Sequence, residues 1–531
     1  MWVDGQNIQF DEINKKYFEI LIHLRTRGIV PLKGEDLSFT LTGLPIFSYK
    51  DLKQKEATYL KKARESSLWL KKAHGGGGTS IKRTAYLKIM GKDPTIGAKG
   101  TDLFISLGSE DEDKDLFPLA EIQILQAIES LNSNEFGEVF LDDLVSEESR
   151  YAVQKIWSKN SWIDNRLTYL ELKEKYKAFH KFKEIRQASL PTLNEEGQFT
   201  TKRMAPGGHA FFAFETLLTA LNGKGPNCRF EDLISVVGNG EDLGSTPDGV
   251  VVGWIIDEKI PIAMVTTDKT EIDTKGGLIA RKKEGSLTTV TIVERAQAQE
   301  AGILDLFQKT RGFFNTNVAI FNYKILVPKL KKLRDKIGQD GFEKVIAPAL
   351  IKNVKFQEET DGIHKYEQLE GAMGSTLLNL DRAYRHSFHE PLVSFINIDR
   401  ENRTRFFSPV KMAFDFFMLF HSDRFSLNRK NFKLVDHRPG ALPLVSLPQK
   451  YYEEVQNILD AFNETQILDL DELRVEGEPV ILGKLKLIGK VKIINTTEGL
   501  FNLTLKLKEM GIKELRNQSV RVTPQGTLII S

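Results

Sequence analysis

Four consecutive glycines, Gly75 to Gly78, run directly into Thr79-Ser80-Ile81-Lys82-Arg83. Glycine has no Cβ, so such a run can turn through positive φ and bring backbone N–H groups close to an anion. The lysine and arginine that follow add positive charge. The pattern suits a phosphate-bearing ligand, and it also suits a plain flexible linker. The choice rests on whether the chain supplies the rest of a phosphate site. Several further clusters have suitable chemistry: Gly97-Ala98-Lys99-Gly100-Thr101-Asp102, Arg186-Gln187-Ala188-Ser189-Leu190-Pro191 and Pro206-Gly207-Gly208-His209. Then come Val237-Gly238-Asn239-Gly240-Glu241-Asp242-Leu243-Gly244, Asp273-Thr274-Lys275-Gly276-Gly277, Phe314-Asn315-Thr316-Asn317 and Arg405-Phe406-Phe407-Ser408-Pro409-Val410-Lys411. Carboxamides, lysines and glycine turns of this kind can hold phosphates and hydroxyls. No Ser-His-Asp or Cys-His signal accompanies them.

Elements must carry these clusters to one place. Short apolar runs alternate with amphipathic stretches between residues 75 and about 455, which predicts an α/β domain on a parallel or mixed sheet. Strands are expected at Leu233–Val237, Val250–Ile256, Ile262–Thr266 and Leu287–Val293, and helices at Pro118–Leu131, Phe211–Leu221 and Leu326–Ile337. The clusters then fall at strand ends, where α/β sheets bind ligands. Residues 1 to about 70 are expected to be mainly helical, with Tyr17, Ile20, Leu21 and Leu24 on one face and Lys53–Lys72 as a charged helix. Glu110–Asp115 reads as a solvated loop, and Lys329–Arg334 as a helix with one apolar and one solvated face.

The last 70 or so residues differ in character. Leu482-Gly483 and Ile488-Gly489 recur at six-residue spacing, with Leu485, Leu487, Val491 and Ile493 alternating with Lys484, Lys486, Lys490 and Lys492. Hexapeptide turns of a left-handed parallel β-helix have this pattern, and an antiparallel hairpin is the simpler alternative. Either form must dock on the body or on another subunit to bury its apolar side.

Composition narrows the function classes. The 531 residues are 41% hydrophobic and 27% charged, as in ordinary globular proteins. Lys+Arg 74 against Asp+Glu 72 leaves a net charge of +2, which argues against a dedicated nucleic-acid or membrane-surface binder. One cysteine, Cys228, allows no internal disulfide and points to the cytoplasm. The N-terminus has no cationic start with an apolar core, and no apolar stretch reaches spanning length.

In order along the chain, the clusters resemble those of the UTP–glucose-1-phosphate uridylyltransferase (UDP-glucose pyrophosphorylase) family. Gly75-Gly76-Gly77-Gly78-Thr79 resembles its Gly-Gly-Leu-Gly-Thr phosphate loop, and Ala98-Lys99 its Pro-Lys turn, with Lys88 as a competitor. Gln187 to Pro191 is similar to its uracil-binding Gln-x-x-x-Pro, and Gly207-Gly208-His209 to its Pro-Gly-His turn. Gly238 to Gly244 resembles its Ser-Asn-x-Asp-Asn-Leu-Gly, Lys269 to Gly277 its Lys-Thr-Arg-Ala-Asp-Val-Lys-Gly-Gly, and Glu294 the glutamate of its Glu-Ile-Ala-Gln. Phe314-Asn315-Thr316-Asn317 reproduces its sugar-contacting segment. Gln368 to Gly374, Arg405 to Lys411, and the tail from Leu470 continue the likeness, which covers roughly residues 73 to 525. There are departures. Gly77 replaces a leucine, Glu241-Asp242 stand where the family has Asp-Asn, and Trp69–His74 makes a poor apolar strand ahead of the loop.

The resemblance implies a Rossmann-like nucleotidyltransferase domain with a mixed sheet at 73–460, after an N-terminal helical segment at 1–72. A C-terminal left-handed parallel β-helix at 461–531 follows, through which a homo-oligomer would assemble. It implies UTP and a sugar 1-phosphate, glucose 1-phosphate foremost, as substrates, UDP-sugar and pyrophosphate as products, and Mg²⁺ as cofactor. Lys411 and Lys99 would stabilise charge on the transferring phosphate. Gly75, Gly76, Gly77, Gly78, Thr79, Gln187, Gly208 and His209 would hold the nucleotide. Asn239, Gly276, Glu294, Asn315 and Asn317 would hold the sugar, and Glu241 or Asp242 would neighbour the metal. A UDP-sugar-dependent glycosyltransferase and a non-catalytic UDP-sugar-binding regulatory protein are the alternatives.

Overall fold

The computed structural model describes residues 2–27, 32–41, 43–75, 81–91, 102–106, 116–157, 174, 177–223, 225–226, 232–270, 273, 276–347, 350–359, 362–428 and 430–531. Its centre is a mixed sheet. In spatial order the strands are Ile46–Ser48, Val393–Ile398, Ile262–Asp268, Phe313–Asn322, Leu233–Asn239, Ser67–Ala73, Glu138–Val145 and Phe179–Arg186. Phe313–Asn322 runs antiparallel to both of its neighbours, and the other pairings along this path are parallel. A sheet covered on both faces needs strands that are apolar on both faces. Leu233–Asn239 meets this condition, since all of its residues are buried. Alternate residues feed two cores: Trp69, Val237 and Met264 join one, while Leu70, Val236 and Val265 join the other. The hairpin Gly277–Glu284 and Leu287–Glu294 extends the sheet beside Phe314. A second, four-stranded sheet combines Ser189–Leu193 and Phe199–Pro206 with Leu350–Glu359 and Gly362–Gly371.

Three expectations change. Val250–Ile256 is a helix, Gly249–Asp257, not a strand. Asp248 caps it, accepting from Val250 N and Val251 N at 3.0 and 3.1 Å. The helix is buried nearly all round, so its sequence carries no amphipathic period to distinguish it from a buried strand. The first 70 residues do hold the helices Glu12–Arg27 and Glu56–Arg64, yet Ile46–Ser48 pairs in parallel with Phe395–Asn397 at the sheet edge. Finally, Ser67–Ala73 is an interior strand despite its two lysines. Lys71 Nζ lies 2.9 Å from Glu215 Oε2 and 3.9 Å from the Trp69 ring centroid. Lys72 Nζ donates to Ser245 O and Oγ. Paired in this way, each ammonium can be buried.

The tail strands Leu444–Ser446, Leu470–Gly477, Lys486–Asn495 and Ser519–Val522 pair in parallel, so the hairpin alternative does not hold for them. Leu485, Leu487, Val491 and Ile493 are buried, while Lys484 and Lys490 are exposed. The tail core is continuous with Ile81, Tyr86, Leu87 and Phe414 to Phe417 of the body. Among the described residues, no helix is long and apolar enough to cross a membrane.

Helix Gly249–Asp257 touches helix Glu56–Arg64 at Gly253, where an added Cβ would lie 1.9 Å from Tyr59 O. Gly253→Ala must therefore push the helices apart, at an expected cost of about 1–3 kcal/mol. Thermal or denaturant midpoints measure it, and an unchanged midpoint would mean the two backbones are not in contact.

Candidate active site

The chain leaves the buried strand Ser67–Ala73 through His74 and Gly75. Gly75 O accepts from Gln187 Nε2 at 3.1 Å. A side chain at position 75 would collide, since its Cβ would lie 1.7 Å from that nitrogen. Gln187 is buried, and its Oε1 has no hydrogen-bond partner among the described residues. A carboxamide with an unused acceptor suits the edge of a base that presents donor and acceptor together. Gly76, Gly77, Gly78, Thr79 and Lys99 lie outside the described residues. Lys88 is exposed on the helix Thr84–Ile89.

The turn before His209 is clamped from two sides. Tyr17 Oη donates to Gly207 O at 2.8 Å, and Gly371 N donates to the same oxygen at 3.2 Å. Gly208 has φ +90°, and an added Cβ would lie 2.9 Å from Gly371 O, so glycine is required twice over. The turn delivers His209 to Asn317, whose Nδ2 donates to His209 Nδ1 and, at 3.1 Å, to Asn239 Oδ1. Asn317 N in turn donates to Asn315 Oδ1 at 3.2 Å. Residues from three separate segments thus meet in one network: the turn after strand Phe199–Pro206, the end of Leu233–Asn239 and the interior of Phe313–Asn322. Asn317 adopts φ +63°, a left-handed conformation that asparagine tolerates better than most residues.

Glu294 closes the hairpin strand opposite Gly277, whose added Cβ would lie 2.7 Å from Glu294 Oε1. Burial pushes its carboxyl up to about 7; nearby Lys411 pulls it down and Glu370 pushes it further up. Gly276, at φ +125°, lets the Phe314 ring approach to within 2.5 Å of where its Cβ would be. Lys411 lines a cavity with Asp273, Phe314, Arg403 and Phe407, its Nζ 5.7 Å from the Phe407 ring centroid. Glu294 and Lys411, which the family resemblance implies as sugar-contacting and phosphate-contacting residues, are electrostatic neighbours in the fold.

Glu241 and Asp242 are both buried, 2% and 0% exposed. Asp242 Oδ1 accepts Ser408 N at 2.7 Å and Gly244 N at 2.8 Å. Val410 N donates to Glu241 O at 2.9 Å, and Asp242 bridges Pro409. Burial holds the Asp242 carboxyl up, Lys72 and the two backbone N–H groups oppose that, and the same burial pulls the Lys72 ammonium down. The pair is a clamp between the Asn239–Gly244 and Arg405–Lys411 loops. Among the described residues no group of three His, Cys, Asp or Glu could hold a metal ion. The two carboxylates expected to neighbour Mg²⁺ are thus buried, with Asp242 Oδ1 committed to two backbone N–H groups and Asp242 Oδ2 without a hydrogen-bond partner among the described residues.

Sequence reasoning missed the supports behind this site. His74 Nε2 lies 3.2 Å from Asp143 Oδ1, Gln123 Nε2 donates to Gly240 O at 2.7 Å, and Arg403 pairs with Asp273 through both terminal nitrogens. None belongs to a local pattern; Asp143 and Gln123 meet their partners only through the sheet and the helix packed on it.

The family model for UTP–glucose-1-phosphate uridylyltransferase matches residues 160–487, more than half of the chain. The chain belongs to this family. Relatives include the UTP–glucose-1-phosphate uridylyltransferases of Saccharomyces cerevisiae, 30% identical over 289 residues, and of Solanum tuberosum, 28% identical over 280 residues. Each match takes in 52% of this chain and 50% of the relative, so the chain spans about half the length of these curated relatives. Solved structures share the fold: the UDP-glucose pyrophosphorylase of Leishmania major superposes with TM-score 0.68 at 19% identity over 96% of each chain. The Trypanosoma brucei structure, described as a UDP-glucose phosphorylase, gives 0.67 at 21% identity over 96% of this chain and 95% of that one.

The clamp can be tested apart from activity. Asp242→Ala leaves two buried N–H groups without an acceptor and removes one of the carboxylates acting on Lys72, at an expected cost of about 2–4 kcal/mol. Asp242→Asn keeps an acceptor oxygen and should cost less. Denaturant midpoints give the order wild type, Asn, Ala; equal midpoints would mean the clamp carries no load.

Proposed function

We propose that the chain transfers a uridylyl group from UTP to a hexose 1-phosphate, with glucose 1-phosphate as the natural substrate, and releases pyrophosphate reversibly. Family membership supports this reading, and the observation that carries it is the convergence of His209, Asn239 and Asn317 in one network. The nucleophile is an oxygen of the sugar phosphate, already ionised at neutral pH. It forms a bond to the α-phosphorus of UTP as the bond from that phosphorus to the bridging oxygen breaks, and the electron pair leaves with pyrophosphate. No proton needs to be removed, so no general base is required. Catalysis then consists of in-line positioning and charge stabilisation.

In this reading Gln187 pairs with the uracil edge, and the glycine loop with Thr79 donates backbone N–H groups to the phosphates. Gly208 and His209 shape the nucleotide side, and Lys411, aided by Lys99, meets the charge that develops on the α-phosphate. Asn239, Glu294, Asn315 and Asn317 accept and donate to the sugar hydroxyls, with Gly276 leaving room for them. Mg²⁺ enters as part of the MgUTP substrate instead of resting on a protein carboxylate pair. We further read the sheet as Rossmann-like and the parallel tail coils as a left-handed β-helix. In that reading 1–72, 73–460 and 461–531 form three regions, the tail offers a surface for self-association, and the single cysteine suits a cytoplasmic setting.

Lys411→Ala is expected to lower kcat at least tenfold, about 1.4 kcal/mol of lost transition-state stabilisation, with the fold intact. Assays of pyrophosphate release with a panel of sugar 1-phosphates, and of UTP formation from UDP-glucose and pyrophosphate, provide the measurement. Absence of both reactions in the wild-type protein would reject the proposed activity.

Glu294 provides a pH test. Its carboxyl is raised to about 7, so between the ordinary carboxyl range and that value the folded protein holds a proton the unfolded chain has lost. Stability relative to Glu294→Gln should therefore fall as pH rises through this window. The KM for glucose 1-phosphate should fall over the same range, because the ionised carboxylate is the better acceptor for a hydroxyl, and Glu294→Gln should remove that inflection. Parallel pH profiles in both proteins would sink the assignment.

A further inference from the structure

A second cavity, about 420 Å³ in volume, opens between the body and the first tail strands. On the body side it is walled by the Lys269–Thr270 turn, by the segment ending helix Leu304–Lys309, and by Arg311 and Arg400. Leu442, Leu444 and Asp471 close it from the tail side.

Its charges are not balanced. Lys269 Nζ is spent, donating to Phe307 O at 2.9 Å and Gln308 O at 2.7 Å, so it forms part of the wall. The carboxylate in the lining, Asp471, is held by Arg438, whose Nη2 lies 2.6 Å from Asp471 Oδ1. Lys309, Arg311 and Arg400 remain, all exposed, and none has an ion-pair partner among the described residues. Three cations around one concave space repel one another, and an anion placed among them removes that repulsion. Two of the three are arginines, whose planar fork matches phosphate oxygens in pairs. The volume exceeds that of a bare phosphate and lies in the range of small-molecule pockets.

We propose that this cavity binds a phosphorylated small molecule. The phosphate meets Lys309, Arg311 and Arg400, and the remainder of the ligand rests against Leu442 and Leu444. The occupied cavity ties the tail to the body beside the Lys269–Thr270 turn. This inference is independent of the proposed activity, because none of its cations has a role in that reaction.

The test uses the full chain with inorganic phosphate and, separately, glucose 6-phosphate as probes, followed by calorimetry and thermal midpoint. Wild type should bind glucose 6-phosphate more tightly than inorganic phosphate, and both should raise the midpoint. Arg311→Glu/Arg400→Glu should weaken both at least tenfold while leaving basal turnover within error of wild type and the ligand-free midpoint no lower than wild type, since the substitution relieves the cation repulsion. Should that variant fail to fold, Lys309→Gln/Arg400→Gln serves in its place with the same expected weakening. Equal titrations in wild type and variant would put the anion elsewhere, at the Lys411 site for example, and overturn the proposal. So would binding of neither probe.

Discussion

One buried carboxylate oxygen, Asp242 Oδ1, joins the two loops on which the site depends. It accepts from the backbone of its own loop at Gly244 and from the Lys411 loop at Ser408. Gly244 lets the second loop approach, since an added Cβ would lie 2.3 Å from Phe407 N. A charge buried this deeply is costly unless it is neutralised and fully hydrogen bonded. Lys72, from the central strand, supplies the opposite charge. The strand's unusual lysine, hydrogen bonded to Ser245, and the loop's unusual aspartate thus lower each other's cost of burial, with Glu241 and Asp143 also acting on the lysine.

The same logic runs through the neighbouring supports. Lys71, on the other face of the strand, is satisfied by Glu215 and Thr216. Trp69 Nε1 donates to Asp142 Oδ2 at 2.9 Å. A purely apolar strand would bury as well and could be as stable. What the polar strand adds is a directional tie to the helix Ala210–Leu221, which begins beside His209, and to the segment that holds Asp242. A site that works by positioning needs such directional ties more than it needs extra burial.

The glycine segment is anchored beyond both of its ends. Upstream, Gly75 rests on Gln187. Downstream, Lys82 N donates to Glu453 O at 3.0 Å and Val455 N donates to Lys82 O at 2.8 Å. Residues 453 to 455 lead into the helix Val455–Ala461, which packs into the tail core with Phe462. The tail is thus mechanically continuous with the chain that follows the glycines, through backbone hydrogen bonds and a shared apolar cluster.

By itself the sequence determined the α/β alternation, the helices Ala210–Leu221 and Tyr323–Ile337, the alternation of buried and solvated residues in the tail, and the ordered motifs that mark the family. These signals are local, since period and turn chemistry act over a few residues. Tertiary structure alone decided the rest. Val250–Ile256 became a helix because burial on all sides erases the period that distinguishes helix from strand. Ser67–Ala73 became a central strand because partners 144 and 173 residues away satisfy its lysines. Asp242 became a clamp between two loops because the Ser408 N–H, 166 residues distant in sequence, meets its carboxylate. Pairing a buried charge is a question of three-dimensional neighbours, and spacing along the chain carries no record of them.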